Sequence, residues 1–153
     1  MIELRTVQRA DVGAVLALVA DVLGEFGLEF GKGSSTDTEL EDLPDSYLTR
    51  GGAFWVAVQG DELLGTCAVF PITADEYELR KMYLRGASRG LGLGKRMLDR
   101  AIEWTRAQRG VRLVLDTAET MTRAIAFYEA NGFVRDDTYI RGPRCSRGYV
   151  RVL

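Results

Sequence analysis

A run of glycines near the middle of the chain, the segment Arg89 to Gly94, is the first feature that could do chemistry. Its three glycines would let the backbone approach a ligand closely, because they carry no Cβ atom. Apolar residues at helical spacing follow directly, so the free N–H groups and the positive dipole end of that helix would face the same point. The segment therefore predicts an anion site. The other interpretation, which the segment alone leaves open, is a flexible helix start that needs unusual φ and ψ angles.

Two phosphate-binding loops can be tested against this segment. A Walker loop needs a glycine at the place of Arg89 and a serine or threonine at the place of Arg96. A dinucleotide fingerprint, Gly-x-Gly-x-x-Gly, could begin at Gly90 or at Gly92. Its third glycine would then fall on Lys95 or on Met97, and neither is glycine. Neither loop fits, so a nucleotide-dependent enzyme is disfavoured.

The composition excludes several other kinds of chemistry. The 153 residues include no histidine, which removes Ser-His-Asp and Cys-His catalysis and most zinc sites. The two cysteines, Cys67 and Cys145, have no metal-ligand spacing, and no histidine exists to activate either thiol. We therefore expect no metal, and acid–base work must fall to Glu, Asp, Tyr, Lys, Cys or water.

Charge and hydropathy limit the partners. The formal net charge of −2 offers no overall positive field for nucleic acid or anionic lipid. The first residues are too polar for a signal peptide, and no apolar run approaches the roughly 20 residues that span a bilayer. We expect a cytoplasmic protein that binds neither nucleic acid nor membrane.

The hydrophobic pattern predicts the elements that must position the glycine run. Asp11 stands at an N-cap position before an amphipathic helix, and a helix at 38–48 is predicted to break near Pro44. Gly132 is a natural stop for a helix that ends beside it. The order is mixed α/β, and we expect a single domain, residues 1–153. The remaining predicted elements are strands at 2–6, 53–58, 63–70, 77–84 and 112–117, helices through 93–104 and 124–131, and a terminal pair of strands.

A second motif, Phe127-Tyr128 followed by Gly132-Phe133, lies downstream of the Arg-x-x-Gly-x-Gly run. Together the two motifs resemble the GNAT superfamily of acyl-CoA-dependent N-acyltransferases, and the resemblance extends over most of the chain. It implies a mixed, mostly antiparallel sheet of about six or seven strands, flanked by about four helices. It also implies that acetyl-CoA is the cosubstrate and that a primary amine is the acceptor. Because no histidine can activate Cys67 or Cys145, we expect the amine to attack directly in a ternary complex.

The resemblance implies a cofactor site along the glycine run and the strand before it. Backbone N–H groups would hold the CoA pyrophosphate, the pantetheine arm would pair with the strand like an added strand, and the backbone there would polarise the thioester carbonyl. Where the family often has an asparagine that contacts this arm, the chain has Met121. The residues that the resemblance assigns to the cofactor are Met82, Tyr83, Leu84, Arg89, Gly90, Leu91, Gly92, Leu93, Gly94 and Lys95.

Two residues are candidates for proton transfer. By resemblance, Tyr128 would be the acid that reprotonates the departing CoA thiolate; the alternative is a core aromatic residue. Glu78 is the candidate base for the acceptor amine, because charges on both faces of its strand indicate a cleft. Its alternative is a salt bridge to a neighbouring cation on the strand. Asp116 and Glu119 are weaker substitutes that could instead cap the following helix.

The acceptor is the least defined part of the prediction. By family analogy, the variable stretch from Glu25 to Tyr47 and the last hairpin would form its pocket, with Glu29 and Arg144 among the polar selectors. The acceptor could be a small molecule or a protein, and strand edges could pair in a homodimer. A rival interpretation is a non-catalytic CoA-binding sensor or scaffold with the same fold. The predicted apolar wall of the pocket consists of Phe26, Phe30, Tyr47 and Tyr139.

Overall fold

A computed structural model describes all residues, Met1–Leu153. It contains seven strands and four α-helices, linked by short 3₁₀ turns. The strands are β1 (Glu3–Thr6), β2 (Ala53–Gln59), β3 (Glu62–Pro71), β4 (Glu76–Leu84), β5 (Arg112–Thr117), β6 (Val134–Arg135) and β7 (Arg147–Val152). The helices are α1 (Val12–Glu25), α2 (Asp45–Leu48), α3 (Leu93–Ala107) and α4 (Thr122–Ala130).

All strands lie in one sheet, in the order β1-β2-β3-β4-β5-β7-β6. Every neighbouring pair is antiparallel except β4 and β5, which are parallel and are connected through α3. A parallel pair needs such a crossover, because its strands must begin at the same end of the sheet. The predicted fold class, a mostly antiparallel mixed sheet with flanking helices, is confirmed.

Each face of the sheet is covered by its own set of helices. On one face, α3 buries Met97, Leu98, Ala101 and Ile102, whose spacing of three to four residues forms one helical stripe against the sheet. On the other face, α1 and the segment around α2 pack on a separate apolar cluster. Packing on both faces explains why the central strands carry long apolar runs.

The sheet opens between β4 and β5. These strands pair only from Glu76 to Glu78, and beyond that point they diverge. In the same region β4 contains one more residue than β3: Thr66 pairs with Tyr83 while Ala68 pairs with Arg80. This β-bulge bends the strand. Since the pairing with β5 ends at Glu78, the later part of β4 has one edge without a strand partner, and that edge faces the gap.

Two local predictions can be compared with the structure. The helix predicted at 38–48 is broken as expected, into a 3₁₀ turn at Asp37–Asp42 and α2, with Pro44 between them. Asp11 occupies the N-cap position of α1, but its side chain caps nothing there. Its carboxylate instead accepts hydrogen bonds from the Arg5 guanidinium at 2.8 and 2.9 Å, because β1 brings that charge beside it. None of the helices combines the length and apolar character that crossing a membrane would require.

Candidate active site

The glycine loop forms a cradle of backbone N–H groups. Gly90 and Gly92 have φ angles of +79° and +77°, which only glycine adopts without strain, and α3 begins at the next residue, Leu93. The N–H groups of residues 90–95 have no acceptor within the chain, since the first backbone N–H of this helix to find one belongs to Arg96, which donates to the Gly92 carbonyl. Six free donors at a helix N-terminus form an anion site. A Cβ at Gly90 or Gly92 would meet no atom within 4 Å, so the loop is open to a ligand.

A cavity of about 340 Å³ extends from this loop along the free edge of β4. Met82, Tyr83 and Leu84 line one side, and Phe127 on α4 lines the other. A Cβ at Gly94 would lie 3.4 Å from both the Leu84 side chain and the Phe127 ring, so glycine allows α3 to pack closely here. We name this space the loop cavity. Its size is that of a small-molecule site.

The side chains of the loop contribute differently from its backbone. Arg89 is turned away from the N–H groups: its guanidinium donates to Glu25 Oε2 at 2.7 Å and to the Leu84 carbonyl at 2.9 Å. It thereby ties the loop to α1 and β4. Leu91 is exposed and Leu93 is buried in the core, so both can serve an anion only through their backbone N–H groups.

A second cavity, of about 360 Å³, lies in the gap between β4 and β5. We name it the strand cavity. It joins the loop cavity, because five residues line both: Met82, Tyr83, Met121, Ala124 and Tyr128. The two cavities therefore form one passage from the N–H cradle to the middle of the sheet.

Tyr128 stands where the two cavities meet. Its ring packs edge-on against Phe127 and Phe133, with centroids 5.8 and 5.6 Å away. Its hydroxyl makes no hydrogen bond within the chain, although the residue is only 6% exposed. Burial raises the pKa of this phenol well above its ordinary value, so the hydroxyl keeps its proton at neutral pH. Tyr128 is thus a core aromatic residue whose protonated phenol lines both cavities.

Glu78 lies in the strand cavity on β4, at the last residue that pairs with β5. Its Oε1 accepts a hydrogen bond from Arg80 Nε, so the predicted ion pair on the strand exists. Its Oε2 lies 3.2 Å from Arg141 Nε but makes no hydrogen bond, and it is buried. A buried carboxylate oxygen without a hydrogen bond is costly, so the site is suited to a ligand that donates one.

A buried ionic cluster fixes the far wall of the strand cavity. Asp37 is fully buried and accepts hydrogen bonds from Lys81 Nζ, from Arg144 at 2.9 Å and from the Gly31 N–H at 2.8 Å. Burial alone would raise the pKa of Asp37, but the Arg144 and Lys81 partners outweigh it and lower the pKa to about 2. Lys81 is the bulge residue of β4, with a φ angle of +52°. The cluster holds the segments around residues 33 and 144 to β4.

Most of the predicted apolar wall does not line the strand cavity. Phe26 lines the loop cavity, beneath the Arg89 guanidinium. Tyr47 is fully buried, with its ring edge-on to Phe54 at 5.2 Å, while Phe30 and Tyr139 are partly buried and line neither cavity. The apolar residues that do line the strand cavity include Leu23, Leu28, Leu79, Leu115 and Ala118.

Sequence reasoning missed Arg141, which lines the strand cavity beside Glu78. It reaches this place because Asp116 Oδ2 accepts hydrogen bonds from the backbone N–H groups of Arg141 and Gly142 at 2.7 and 3.0 Å. Asp116 therefore holds a turn and caps no helix. No local pattern in the sequence indicates either contact, since the partners lie far apart in the chain.

Neither cysteine thiol is ionised as a nucleophile would be. Cys67 is fully buried in the core, and burial raises the pKa of its thiol to about 12. Cys145 is partly buried at the strand cavity, and burial together with the nearby Asp116 raises the pKa of its thiol to about 12. Both thiols are protonated at neutral pH, and the thiolate is the nucleophilic form.

Comparisons with known proteins identify the family. Residues 19–133 match the model of the acetyltransferase (GNAT) family. The uncharacterised N-acetyltransferase YjgM of Escherichia coli K12 is 34% identical over 138 residues, which cover 88% of this chain and 83% of YjgM. The chain also matches mammalian N-acetyltransferases of family 8, of which it spans about half the length.

Solved structures have the same fold. A GNAT-family acetyltransferase from Staphylococcus aureus Mu50 superposes with a TM-score of 0.91 at 24% identity, over 100% of this chain and 99% of that one. The PaiA N-acetyltransferase of Thermoplasma acidophilum, crystallised with coenzyme A, superposes with a TM-score of 0.80 at 17% identity, over 100% and 99% of the two chains. The chain belongs to the GNAT acetyltransferase family, which confirms the predicted family and the predicted enzyme class.

Proposed function

We propose that the chain transfers the acetyl group of acetyl-CoA to a primary amine by direct attack in a ternary complex. One observation carries this proposal: a single passage joins six free N–H groups at one end to a buried carboxylate at the other, with the Tyr128 hydroxyl at the junction. Glu78 supplies the carboxylate. The passage has the acid, the base and the anion site in the order that the reaction needs.

The donor end fits a CoA pyrophosphate. The free N–H groups of residues 90–95 bind the pyrophosphate oxygens, and the dipole of α3 adds to the attraction. Lys95 and Arg123 line the same cavity and bring positive charge to it. The unpaired edge of β4 from Met82 to Leu84 can hydrogen-bond the amide groups of an extended pantetheine arm. Met121 lines the passage and contacts this arm through apolar packing instead of an amide.

The acceptor end carries the proton chemistry. Acetyl-CoA supplies a thioester whose carbonyl carbon the amine attacks. Glu78, directly or through a water molecule, takes a proton from the acceptor ammonium and releases it to solvent. The amine nitrogen then bonds to the acetyl carbon as the carbon–sulfur bond breaks, and its electron pair goes to sulfur. Tyr128 protonates that sulfur and recovers a proton from the nitrogen, so that one acetamide, one thiol and one free proton result.

Direct transfer is favoured over an acyl-enzyme. Cys67 lies in the core, and both cysteine thiols have a pKa raised to about 12. No histidine is available to activate them. We therefore expect no covalent acyl-enzyme intermediate on a cysteine side chain.

The test is steady-state release of CoA thiol from acetyl-CoA over a panel of amines. Replacing Tyr128→Phe keeps the ring packing and removes the proton, so we expect kcat to fall by about 100-fold while the KM for acetyl-CoA changes little. Tyr139→Phe, outside both cavities, is the matched control. Glu78→Gln should also lower kcat by about 100-fold, whereas Glu103→Gln, at an exposed position of α3 outside both cavities, should not.

Unchanged kcat in Tyr128→Phe would show that this residue is structural.

A second candidate function, a CoA-binding sensor, has Met121 in its favour, because an apolar side chain stands where the family often has an asparagine. Tight CoA binding in calorimetry, without thiol release on any amine, would support the sensor and overturn the enzyme.

A further inference from the structure

Arg141 is the only cation of the strand cavity whose guanidinium or ammonium donates no hydrogen bond. Arg144 donates to Asp37 and to two backbone carbonyls, Arg80 donates to Glu78, and Lys81 donates to Asp37. Arg141 makes two ion pairs, at 3.2 Å to Glu78 Oε2 and at 3.7 Å to Glu76 Oε1, neither with the geometry of a hydrogen bond, and its side chain is 45% exposed. Since no N–H of its planar fork is used in a hydrogen bond, the guanidinium can bind a carboxylate in a bidentate way.

The Arg141 guanidinium is ion-paired to the one oxygen of Glu78 that accepts no hydrogen bond. Arg141 Nε and Glu78 Oε2 are 3.2 Å apart, and neither atom is used in a hydrogen bond. The two groups present a positive and a negative charge, side by side, to the same cavity. A ligand that complements them needs an ammonium and an anionic group about as far apart as these two side-chain atoms. In an α-amino acid, standard bond lengths place the ammonium nitrogen about 3 Å from a carboxylate oxygen.

The balance of charge favours an anion over a second cation. Four cationic side chains line the strand cavity, namely Arg80, Lys81, Arg141 and Arg144, against two carboxylates, those of Glu78 and Asp116. Asp116 Oδ2 already accepts two backbone hydrogen bonds, whereas Glu78 Oε2 accepts none. A diamine or a lysine-rich segment would therefore meet more repulsion than attraction.

The roof of the cavity favours a small acceptor over a protein. The segment around Gly33 is joined to the turn that carries Arg144, whose backbone N–H donates to the Gly33 carbonyl at 3.2 Å. Asp37 ties both segments to β4. Part of the space of about 360 Å³ is adjacent to Tyr128, where the thioester must lie, so the remainder suits a molecule of amino-acid size.

We propose that the acceptor is a free α-amino acid, whose ammonium binds Glu78 Oε2 and whose carboxylate binds the Arg141 guanidinium. This rests on the proposed acetyl transfer and makes Arg141 the specificity residue. The apolar lining, Leu23, Leu28 and Leu115 among others, then contacts the amino-acid side chain. Bound in this way, the ammonium delivers its proton to Glu78 and leaves the nitrogen free to attack.

The experiment compares the standard L-amino acids with their amides and with the amines that lack the carboxyl group. We expect kcat/KM for the best amino acid to exceed that of its amide by at least about tenfold, mainly through KM, because the amide offers no charge to Arg141. In Arg141→Gln, the kcat/KM values of the amino acid and of its amide should differ by less than about twofold. Arg100→Gln removes an exposed arginine of α3 that has no ion pair, and it should keep the preference.

Equal use of amides or simple amines by the unaltered enzyme would overturn the amino-acid proposal and leave acetyl transfer standing. An unchanged preference in Arg141→Gln would also overturn it, because the carboxylate would then be bound elsewhere. If CoA binds but none of the three panels releases thiol, both the acceptor proposal and the enzyme proposal fail.

Discussion

Replacing Asp37 with asparagine should be the most damaging conservative change near the site. Asparagine keeps the size of the side chain but removes the negative charge that two cations share. Lys81 and Arg144 have side chains only 4% and 11% exposed, so neither can turn to solvent for compensation. The change leaves buried charge without a counter-charge, which is among the costliest of single substitutions.

The magnitude can be worked in two ways. The pKa of Asp37 falls from 3.8 to about 2, and at about 1.4 kcal/mol per pKa unit the folded state favours the ionised carboxyl by about 2 to 3 kcal/mol. Removal of one partner from a buried pair costs about 3 to 5 kcal/mol in other proteins. We therefore expect Asp37→Asn to lower the free energy of unfolding by about 3 kcal/mol at pH 7.

The stabilisation by Asp37 should decrease as the pH falls. Because the pKa of Asp37 is lowered in the folded state, its stabilisation is complete above the unfolded pKa of 3.8 and is lost as the pH falls towards about 2. The difference between the two proteins should therefore be constant from pH 7 to about pH 5 and should shrink by about 1 kcal/mol at pH 3.

Urea unfolding, followed by circular dichroism at several pH values, measures this difference. Asp99→Asn is the control: Asp99 is 54% exposed and forms a surface pair with Lys95, so its loss should cost less than about 0.5 kcal/mol. A loss below about 1 kcal/mol for Asp37→Asn at pH 7, or a difference that does not shrink in acid, would refute the reasoning. Since Asp37 anchors the roof of the strand cavity, the variant should also raise the KM for the amine more than the KM for acetyl-CoA.

Two further predictions concern the donor site and the cysteines. Gly92→Asp should weaken CoA binding by at least about 100-fold in calorimetry, since like charges about 5 Å apart repel by about 3 kcal/mol at an effective dielectric constant of 20. Gly92→Asn is the control, because asparagine tolerates the positive φ angle and carries no charge, and it should weaken CoA binding far less. An equal loss of CoA affinity in the two variants would mean that backbone strain, and not charge, is responsible. Cys145→Ser should retain acetyl transfer, and iodoacetamide at pH 8 should alkylate Cys145 at least about 100-fold more slowly than free cysteine, since the thiol pKa is raised to about 12. Rapid alkylation or a dead serine variant would reopen the acyl-enzyme pathway.

The donor half of the site was accessible from the sequence because local patterns specify it. Gly90 and Gly92 adopt backbone angles that glycine adopts freely, and the apolar spacing after them is enough to predict α3. Tyr128 lies on a short helix whose stop at Gly132 is also a local signal. The strands were predictable for the same reason, because an alternating or continuous apolar pattern reports which faces of a strand are buried.

The acceptor half was not accessible in this way. Tyr47 appeared suited to a pocket wall, but α2 folds onto the sheet so that its ring packs against Phe54 and Phe70. A helix of four residues has no periodicity from which its buried face can be predicted. The β-bulge at Lys81 likewise has no sequence pattern of its own, and it decides where that ammonium points.

By itself, the sequence predicted the mixed α/β order, the glycine loop at the start of α3 and the helix that carries Tyr128, because each depends on neighbours within a few residues. The sheet architecture and the role of Tyr128 were predicted from the family resemblance. Only the tertiary structure decided that Glu78 meets Arg141 and that Asp37 joins Lys81 and Arg144. Asp37 and Arg144 are 107 residues apart in the chain. Contacts of that kind depend on how two irregular segments pack against a splayed sheet, and no repeating pattern of residues records that packing.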